Sequence, residues 1–491
     1  MTNPTVLLRP HQQDATSAIR AAIEAGVGQA VGRIVAPTGS GKTFIEASAL
    51  LYQMQHNSVS RIHLVLAPRI VLCNQLLAEY RKFCGNRAFR AMAFHSGTVD
   101  GDDTTAWKES NTTSVSEIVI VHDNAIKGNQ DLVVFGTYHS CHKLQGIEFD
   151  TLIADESQYC VSENFNDAIR SLTANVRLFF TATERHTASN KGRGLNNEEV
   201  YGKLLYTIPP SELIRLGMIV PPRLHIMHAV TEDERLTVVD EIVQLAVAQD
   251  GLTRPVAGMS KILFAMKGTE DVQTVCDNLP RLRAALPDHD IFTITSKGGA
   301  RINGVEVRRN QFLKELKTRT NCLIFHYDIL SEGIDVDGIT GVCIMRNMVL
   351  SKLLQTIGRA IRILKSAPHL KQWAWVSVAA LNGNEDDKAR VVQYVNAIRD
   401  GGFDLIETAV ETGTPHHVPD ADPMEDAYED DARSHRSLFL TSVEHDVEEA
   451  ANVTAEAAAK QRRADAMAKE TTVDGALNAF FELLDADESS N

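Results

Sequence analysis

The eight residues APTGSGKT, at 36 to 43, constrain this chain more than any other stretch. They follow a β-branched run, RIV at 33 to 35, and open a stretch with helical patterning at 42. A glycine-rich turn between a strand and a helix, closed by lysine and a hydroxyl residue, is what a phosphate-binding loop needs. Gly39 and Gly41, with Ser40 between them, let backbone N–H groups approach phosphates. Lys42 reaches the β and γ phosphates of a nucleotide such as ATP, and the Thr43 hydroxyl is a ligand for Mg²⁺. Ala36 stands where the strict pattern has glycine. A bland glycine-rich helix cap would not need the strand, the lysine and the threonine together.

The loop sits in a longer rhythm. IHLVLA (62 to 67), LVVF (132 to 135), FDTLIA (149 to 154) and VRLFF (176 to 180) alternate with amphipathic stretches, one of them starting at about 69. That alternation marks a parallel sheet covered by helices on both faces. A proline-rich stretch, TIPPSELIRLGMIVPPRL at 207 to 224, interrupts it and reads as a crossing between domains. The rhythm resumes with KILFAM (261 to 266), IFTIT (291 to 295), CLIFHY (322 to 327), GVCIM (341 to 345) and WAWVSV (373 to 378), so a second α/β domain is expected. We expect domains at 1–218 and 219–400, followed by a tail at 401–491 in which strands stop. Within the tail, 415 to 431 reads as an acidic linker and 450 to 470 as a helix of high propensity. The polar stretch from Thr98 to Asp131 is too weakly patterned to assign and reads as an insertion.

At 491 residues the chain is too long for a single small binding module, and 44% apolar with 23% charged residues excludes global disorder. A net charge of −15, evenly spread, would argue against a nucleic-acid partner. It is not evenly spread: residues 401–491 hold 6 Lys and Arg against 22 Asp and Glu, whereas residues 1–400 hold 43 against 42. The neutral body has room for a basic track. Seven cysteines without a C-x-x-C pair indicate neither a zinc ribbon nor a disulfide framework, so the compartment reads as reducing, cytoplasmic and intracellular. Every apolar run stops short of the roughly 18 residues a bilayer span needs, and no signal peptide is evident, so no membrane is expected.

FDTLIADESQ (149 to 158) sets two acids directly after an apolar strand, at the carboxyl edge where parallel sheets collect ligands. Asp155 is suited to hold Mg²⁺, and Glu156 to orient and deprotonate a water attacking the γ-phosphate. An isolated acidic pair is ordinarily a solvated turn; downstream of a phosphate loop it supplies what hydrolysis lacks there. QTIGRAIR (355 to 362) puts Arg359 and Arg362 on one helical face. Alone they would be a solvated basic face; in a second α/β domain they are candidate arginine fingers that stabilise charge on the transferring phosphoryl group.

With these motifs in this order, residues 7 to 380 resemble the superfamily 2 helicases and translocases. The resemblance implies two RecA-like parallel-sheet domains in tandem, with a helical acidic extension after them. LRPHQQDA (8 to 15) looks like the family's adenine-reading element, implying that Gln12, helped by Arg9, recognises the base, with His11 in place of the usual aromatic. APRIVLCNQ (67 to 75) and FGTYHS (135 to 140) look like the motifs that touch the nucleic-acid backbone, and TATER (181 to 185) like the one that couples hydrolysis to domain movement. ILFAMKGTED (262 to 271) sits where the fourth motif belongs. FHYDILSEGIDV (325 to 336) looks like the fifth, implying Gly333 and Asp335 near ATP, although Tyr327 stands where many relatives have threonine. The last, QTIGRAIR, implies Gln355, Arg359 and Arg362 at the ATP cleft, and Gln158 is implied near the γ-phosphate.

EGID, QxxGRxxR and the SELIRLGMIVPP crossing are more similar to motors of type I and type III restriction enzymes and phage or repair DNA helicases than to DEAD-box RNA helicases. The resemblance therefore implies an ATP- and Mg²⁺-dependent helicase or translocase, with DNA preferred to RNA as its partner. The rivals are an RNA helicase and a regulatory protein that uses ATP as a latch without separating strands. The acidic tail ends in VDGALNAFFELLDAD (473 to 487), whose apolar residues fall near helical spacing and call for an apolar partner, in its own motor or in another protein.

Overall fold

The structure is a computed structural model that describes residues 7–56, 61–84, 89–96, 111–187, 192–229, 238–295, 299–327, 336, 338–346, 348, 350–364, 371–381, 394–396, 398–399, 401–403 and 408–413. The chain divides into two compact units, Met1–Pro209 and Pro210–Asn491, so the division falls inside the proline-rich stretch.

Among the described residues the first unit carries an eight-stranded sheet. Its strands are β1 (Ala30–Val35), β2 (Ile62–Ala67), β3 (Arg90–Phe94), β4 (Asn111–Thr112), β5 (Leu132–Thr137), β6 (Glu148–Ala154), β7 (Thr173–Thr181) and β8 (Lys203–Thr207). They lie in the order β4-β3-β5-β2-β6-β7-β1-β8, with every pairing parallel. The side chains of β2 show why its sequence lacks polar alternation. Ile62, Leu64 and Leu66 enter one apolar layer with Ile118, Phe149 and Phe179, while Val65 and Ala67 enter the opposite layer with Leu50, Leu76 and Tyr80. A strand covered on both faces has no solvent side to make polar. Helices Pro10–Ala25, Lys42–His56 and Ile70–Cys84 form the second layer. The stretch left unassigned in the sequence forms, in its described part, β4 and helix Val115–Lys127. That helix buries Ile118 and Ala125 and exposes Val119, Ile120 and Ile126, which blurs its periodicity. Gly202 closes the unit: its φ of 69° and a Cβ position 2.0 Å from the Val31 carbonyl oxygen admit no side chain where β8 joins β1.

The second unit carries, among its described residues, a nine-stranded sheet. It comprises β9 (Pro222–Ala229), β10 (Ser260–Ala265), β11 (Asp290–Thr295), β12 (Gly299–Ile302), β13 (Val305–Val307), β14 (Asn321–His326), β15 (Gly341–Ile344), β16 (Ala374–Leu381) and β17 (Thr408–Gly413). The order is β13-β12-β11-β14-β10-β15-β16-β9-β17; only β12 is antiparallel to its two neighbours. The parallel-dominated sheet has one edge that the apolar runs of the sequence did not show, and one expectation needs correction. β12 and β13 form a hairpin around Asn303 and Gly304, both at positive φ, which adds an antiparallel edge to an otherwise parallel sheet. Strands also do not stop at 400, because β17 pairs in parallel with β9. The run TAVETG is short and borders acidic sequence, so its pairing partner, and not its own pattern, makes it a strand.

The acidic linker at 415 to 431, the helix expected at 450 to 470 and the apolar segment at 473 to 487 lie outside the described residues. No helix among the described residues is long and apolar enough to cross a membrane.

Candidate active site

β6, β7 and β1 are neighbours in the first sheet, so their carboxyl ends form one row. Ala36 continues β1 and donates its N–H to the Thr181 carbonyl at the end of β7, 2.9 Å away. The chain then turns through Gly39 and Gly41, at φ of 93° and 79°, before helix Lys42–His56 begins. Glycine reaches such left-handed conformations without steric cost. A Cβ on Gly41 would stand 2.3 Å from Gln12 Nε2. Gln12 is packed there because its Nε2 donates to the Ser40 carbonyl at 2.9 Å while its Oε1 accepts from the Arg9 N–H at 3.0 Å. His11 reaches the same Ser40 carbonyl through Nε2, at 2.8 Å. Helix Pro10–Ala25 thus holds the tip of the phosphate loop, with His11 and Gln12 both buried.

Asp155 and Glu156 emerge one strand beyond β7. Asp155 stays in register by donating its N–H to the Leu66 carbonyl, and its Oδ1 accepts the Glu156 N–H at 2.9 Å. Glu156 has a φ of 53°, a left-handed conformation that costs a residue with a Cβ roughly 1–2 kcal/mol. Strain of this kind collects where geometry serves a site. The turn directs Glu156 to Lys42, whose Nζ lies 3.9 Å from Oε1. On its other side Gln158 Nε2 donates to Glu156 Oε2 at 2.9 Å, and the Thr181 hydroxyl donates to Gln158 Oε1 at 2.7 Å. One polar chain, Lys42 to Glu156 to Gln158 to Thr181, therefore joins the phosphate loop, the acidic pair and the TATER motif.

Sequence reasoning missed one member. Glu46 lies one turn beyond Lys42 and is wholly buried. The Tyr80 hydroxyl donates to its Oε2 at 3.3 Å. Burial, and then the neighbouring Asp155, push the Glu46 carboxyl well above the usual range, with Lys42 partly offsetting them. Burial likewise raises Asp155 to about 7, helped by the charge of Glu156 and opposed by Lys42. Glu46, Asp155 and Glu156 share a single lysine, so burial of like charges favours the protonated form of the innermost carboxyl. Among the described residues no cluster of three or more metal-binding side chains occurs, so Mg²⁺ would be held by few protein ligands together with phosphate oxygens. At i, i+4 from a lysine, a glutamate reads as a solvated ion pair, so nothing local marks Glu46.

APRIVLCNQ and FGTYHS are tied together: Cys73 Sγ donates to the Gly136 carbonyl at 3.0 Å. Tyr138 is fully buried and donates its hydroxyl to the Asp155 carbonyl at 2.6 Å, so it supports the acidic turn, while Arg69 and His139 are exposed.

In the second unit, helix Leu350–Ala360 carries Gln355 and Arg359, both buried, and Arg362 follows it, half-buried. The helix packs against β15 and β16. Gly333 and Asp335 lie outside the described residues.

Residues 5–186 match the family model of the type III restriction enzyme res subunit. No curated protein matches the sequence. Among solved structures, the ATP-dependent Type ISP restriction-modification enzyme LlaBIII bound to DNA is 16% identical, with a TM-score of 0.64 over 89% of this chain and 33% of its own. A fragment of a putative HsdR subunit of a type I restriction enzyme from Vibrio vulnificus YJ016 is 15% identical, at a TM-score of 0.55 over 85% of this chain and 71% of its own. Mss116p bound to ssRNA and AMP-PNP is 13% identical, at a TM-score of 0.50 over 88% of this chain and 80% of its own. The chain spans about a third of the length of the Type ISP enzymes it matches. The two parallel-dominated sheets are RecA-like domains in tandem.

Proposed function

We propose that this chain, which has the tandem fold of superfamily 2 helicases and translocases, is an ATP-dependent motor on DNA that couples hydrolysis to translocation or unwinding. The observation that carries this reading is the polar chain from Lys42 through Glu156 and Gln158 to Thr181, with Asp155 beside it. Backbone N–H groups around Gly39, Ser40 and Gly41 receive the phosphates, and Lys42 leaves Glu156 to bind the β and γ oxygens. Thr43 and Asp155 would hold Mg²⁺, which neutralises phosphate charge when bound. Glu156, released from Lys42, orients the attacking water and accepts its proton, and Gln158 links that carboxylate to Thr181 and thus to the motif that reports hydrolysis. Gln12 and Arg9 meet the base. The resemblance assigns Gly333, Asp335, Arg359 and Arg362 of the second unit to ATP hydrolysis, the arginines to charge stabilisation in the transition state.

DNA is favoured as the track because the family model and the Type ISP and HsdR neighbours come from restriction enzymes, one of them bound to DNA. The acidic tail serves a protein partner in this reading. Lys42→Ala should weaken nucleotide binding and hydrolysis together, and Glu156→Gln should keep binding but stop turnover. Undiminished ATPase in both variants would refute the site.

A further inference from the structure

Lys371 lies just ahead of β16, is 3% exposed, and points its ammonium at backbone. Its Nζ donates to the carbonyls of Ile339 and Arg362, each at 2.6 Å, and to that of Ala360. The carbonyls at the end of helix Leu350–Ala360 have no donor within the helix, and the negative end of its dipole lies there. A buried cation satisfies both demands. Between the Ala360 and Arg362 carbonyls, the Ile361 carbonyl accepts the Val220 N–H at 2.7 Å, and Ile219 bridges Arg362 in antiparallel fashion. Three consecutive carbonyls, at 360, 361 and 362, are thus held from outside the helix. Arg359 and Arg362 leave the backbone at this point.

Burying an ammonium is costly unless its hydrogen bonds are satisfied, and here three carbonyls satisfy them, each of which would be left without this donor by an apolar side chain. What the lysine adds is a fixed backbone under the two arginines. We infer that Lys371 is a positioning residue for ATP hydrolysis: it touches no substrate, and it sets the arginine-bearing turn in the geometry that the transition state requires. This inference rests on the reading of Arg359 and Arg362 given above.

The test uses the full chain with linear duplex DNA and ATP, in four forms: unmodified, Lys371→Met, Arg362→Ala and the double variant. The Kd of a fluorescent ADP analogue and the Tm are measured beside turnover. Misplacement of catalytic groups by about an ångström costs up to about 100-fold, so Lys371→Met should lower kcat by about 10- to 100-fold. The Kd of the ADP analogue should stay within about twofold, because the lysine does not touch ground-state nucleotide. In the Arg362→Ala background the same change should slow turnover little further, whereas a merely structural lysine would lower Tm without this dependence on the arginine. If Lys371→Met does not fold, Lys371→Gln, which keeps two donors, takes its place. Unmodified turnover in the folded variant beside a slow Arg362→Ala overturns the inference alone. Equal fold losses in both backgrounds overturn it as well. Unmodified turnover in Arg359→Ala and Arg362→Ala overturns the reading of the arginines, and this inference with it.

Discussion

Glu46→Gln isolates the electrostatics beneath the phosphate loop. In the absence of nucleotide and Mg²⁺ the folded protein favours the protonated form of Glu46, since burial, and then Asp155, hold its carboxyl well above the usual carboxylate range. The unfolded chain releases that proton above its ordinary value. Between the two values the folded state binds one proton more, so this contribution is fully present below the unfolded pKa and is lost as pH rises toward the folded one. One proton corresponds to about 1.4 kcal/mol for each pH unit, and Glu46 is wholly buried. Glutamine keeps the shape and can accept the Tyr80 hydroxyl, but it carries no proton to lose. The variant should therefore match the unmodified protein at about pH 5 and gain on it at higher pH. At roughly 2–4 °C per kcal/mol for a unit of this size, the gap in Tm should widen by about 3–6 °C per pH unit. Scanning fluorimetry of both proteins across about pH 5.5 to 7.5 reads this difference, and subtracting one curve from the other removes the groups that do not interact with Glu46, leaving Glu46 and its neighbour Asp155. A gap that stays constant with pH, or that closes as pH rises, would refute the assignment of a protonated Glu46.

Gly202→Ala should destabilise the first unit by about 2–5 kcal/mol, from left-handed strain plus overpacking against the Val31 carbonyl, read as a fall in the Tm of that unit. Truncation before Pro415 removes most of the acidic excess of 401–491. If those acids compete with DNA for phosphate contacts, the truncated chain should bind DNA more tightly at low salt than at high salt relative to the full chain, and unchanged affinity at low salt would eliminate competition.

The parallel strands were legible because burial on two faces writes uninterrupted apolar runs such as IHLVLA and FDTLIA. β9 was not, since PRLHIMHA starts at a proline and mixes His225 and His228 into its apolar positions; the buried His225 is matched by the Ser377 hydroxyl on β16, a partner distant in sequence. The Asn303-Gly304 turn is a hairpin signal written in the sequence itself, with both residues at positive φ. At the site, spacing around APTGSGKT and ADESQ named the residues, but not their connections. That Gln158 joins Glu156 to Thr181 depends on β6 and β7 being neighbours. Glu46 and Lys371 escaped for the same reason: each is a charged residue that looks solvated in its own segment and is buried by elements far along the chain.

The motor proposed above hydrolyses ATP at Lys42 and Glu156 to move on DNA. The most direct measurement is steady-state ATPase of the full chain alone, with linear duplex or single-stranded DNA, and with RNA of matched length. Stimulation should be greatest with DNA of any sequence, should fall steeply as salt rises, and should vanish in Glu156→Gln. ATPase indifferent to nucleic acid, or stimulated as well or better by RNA, would contradict it.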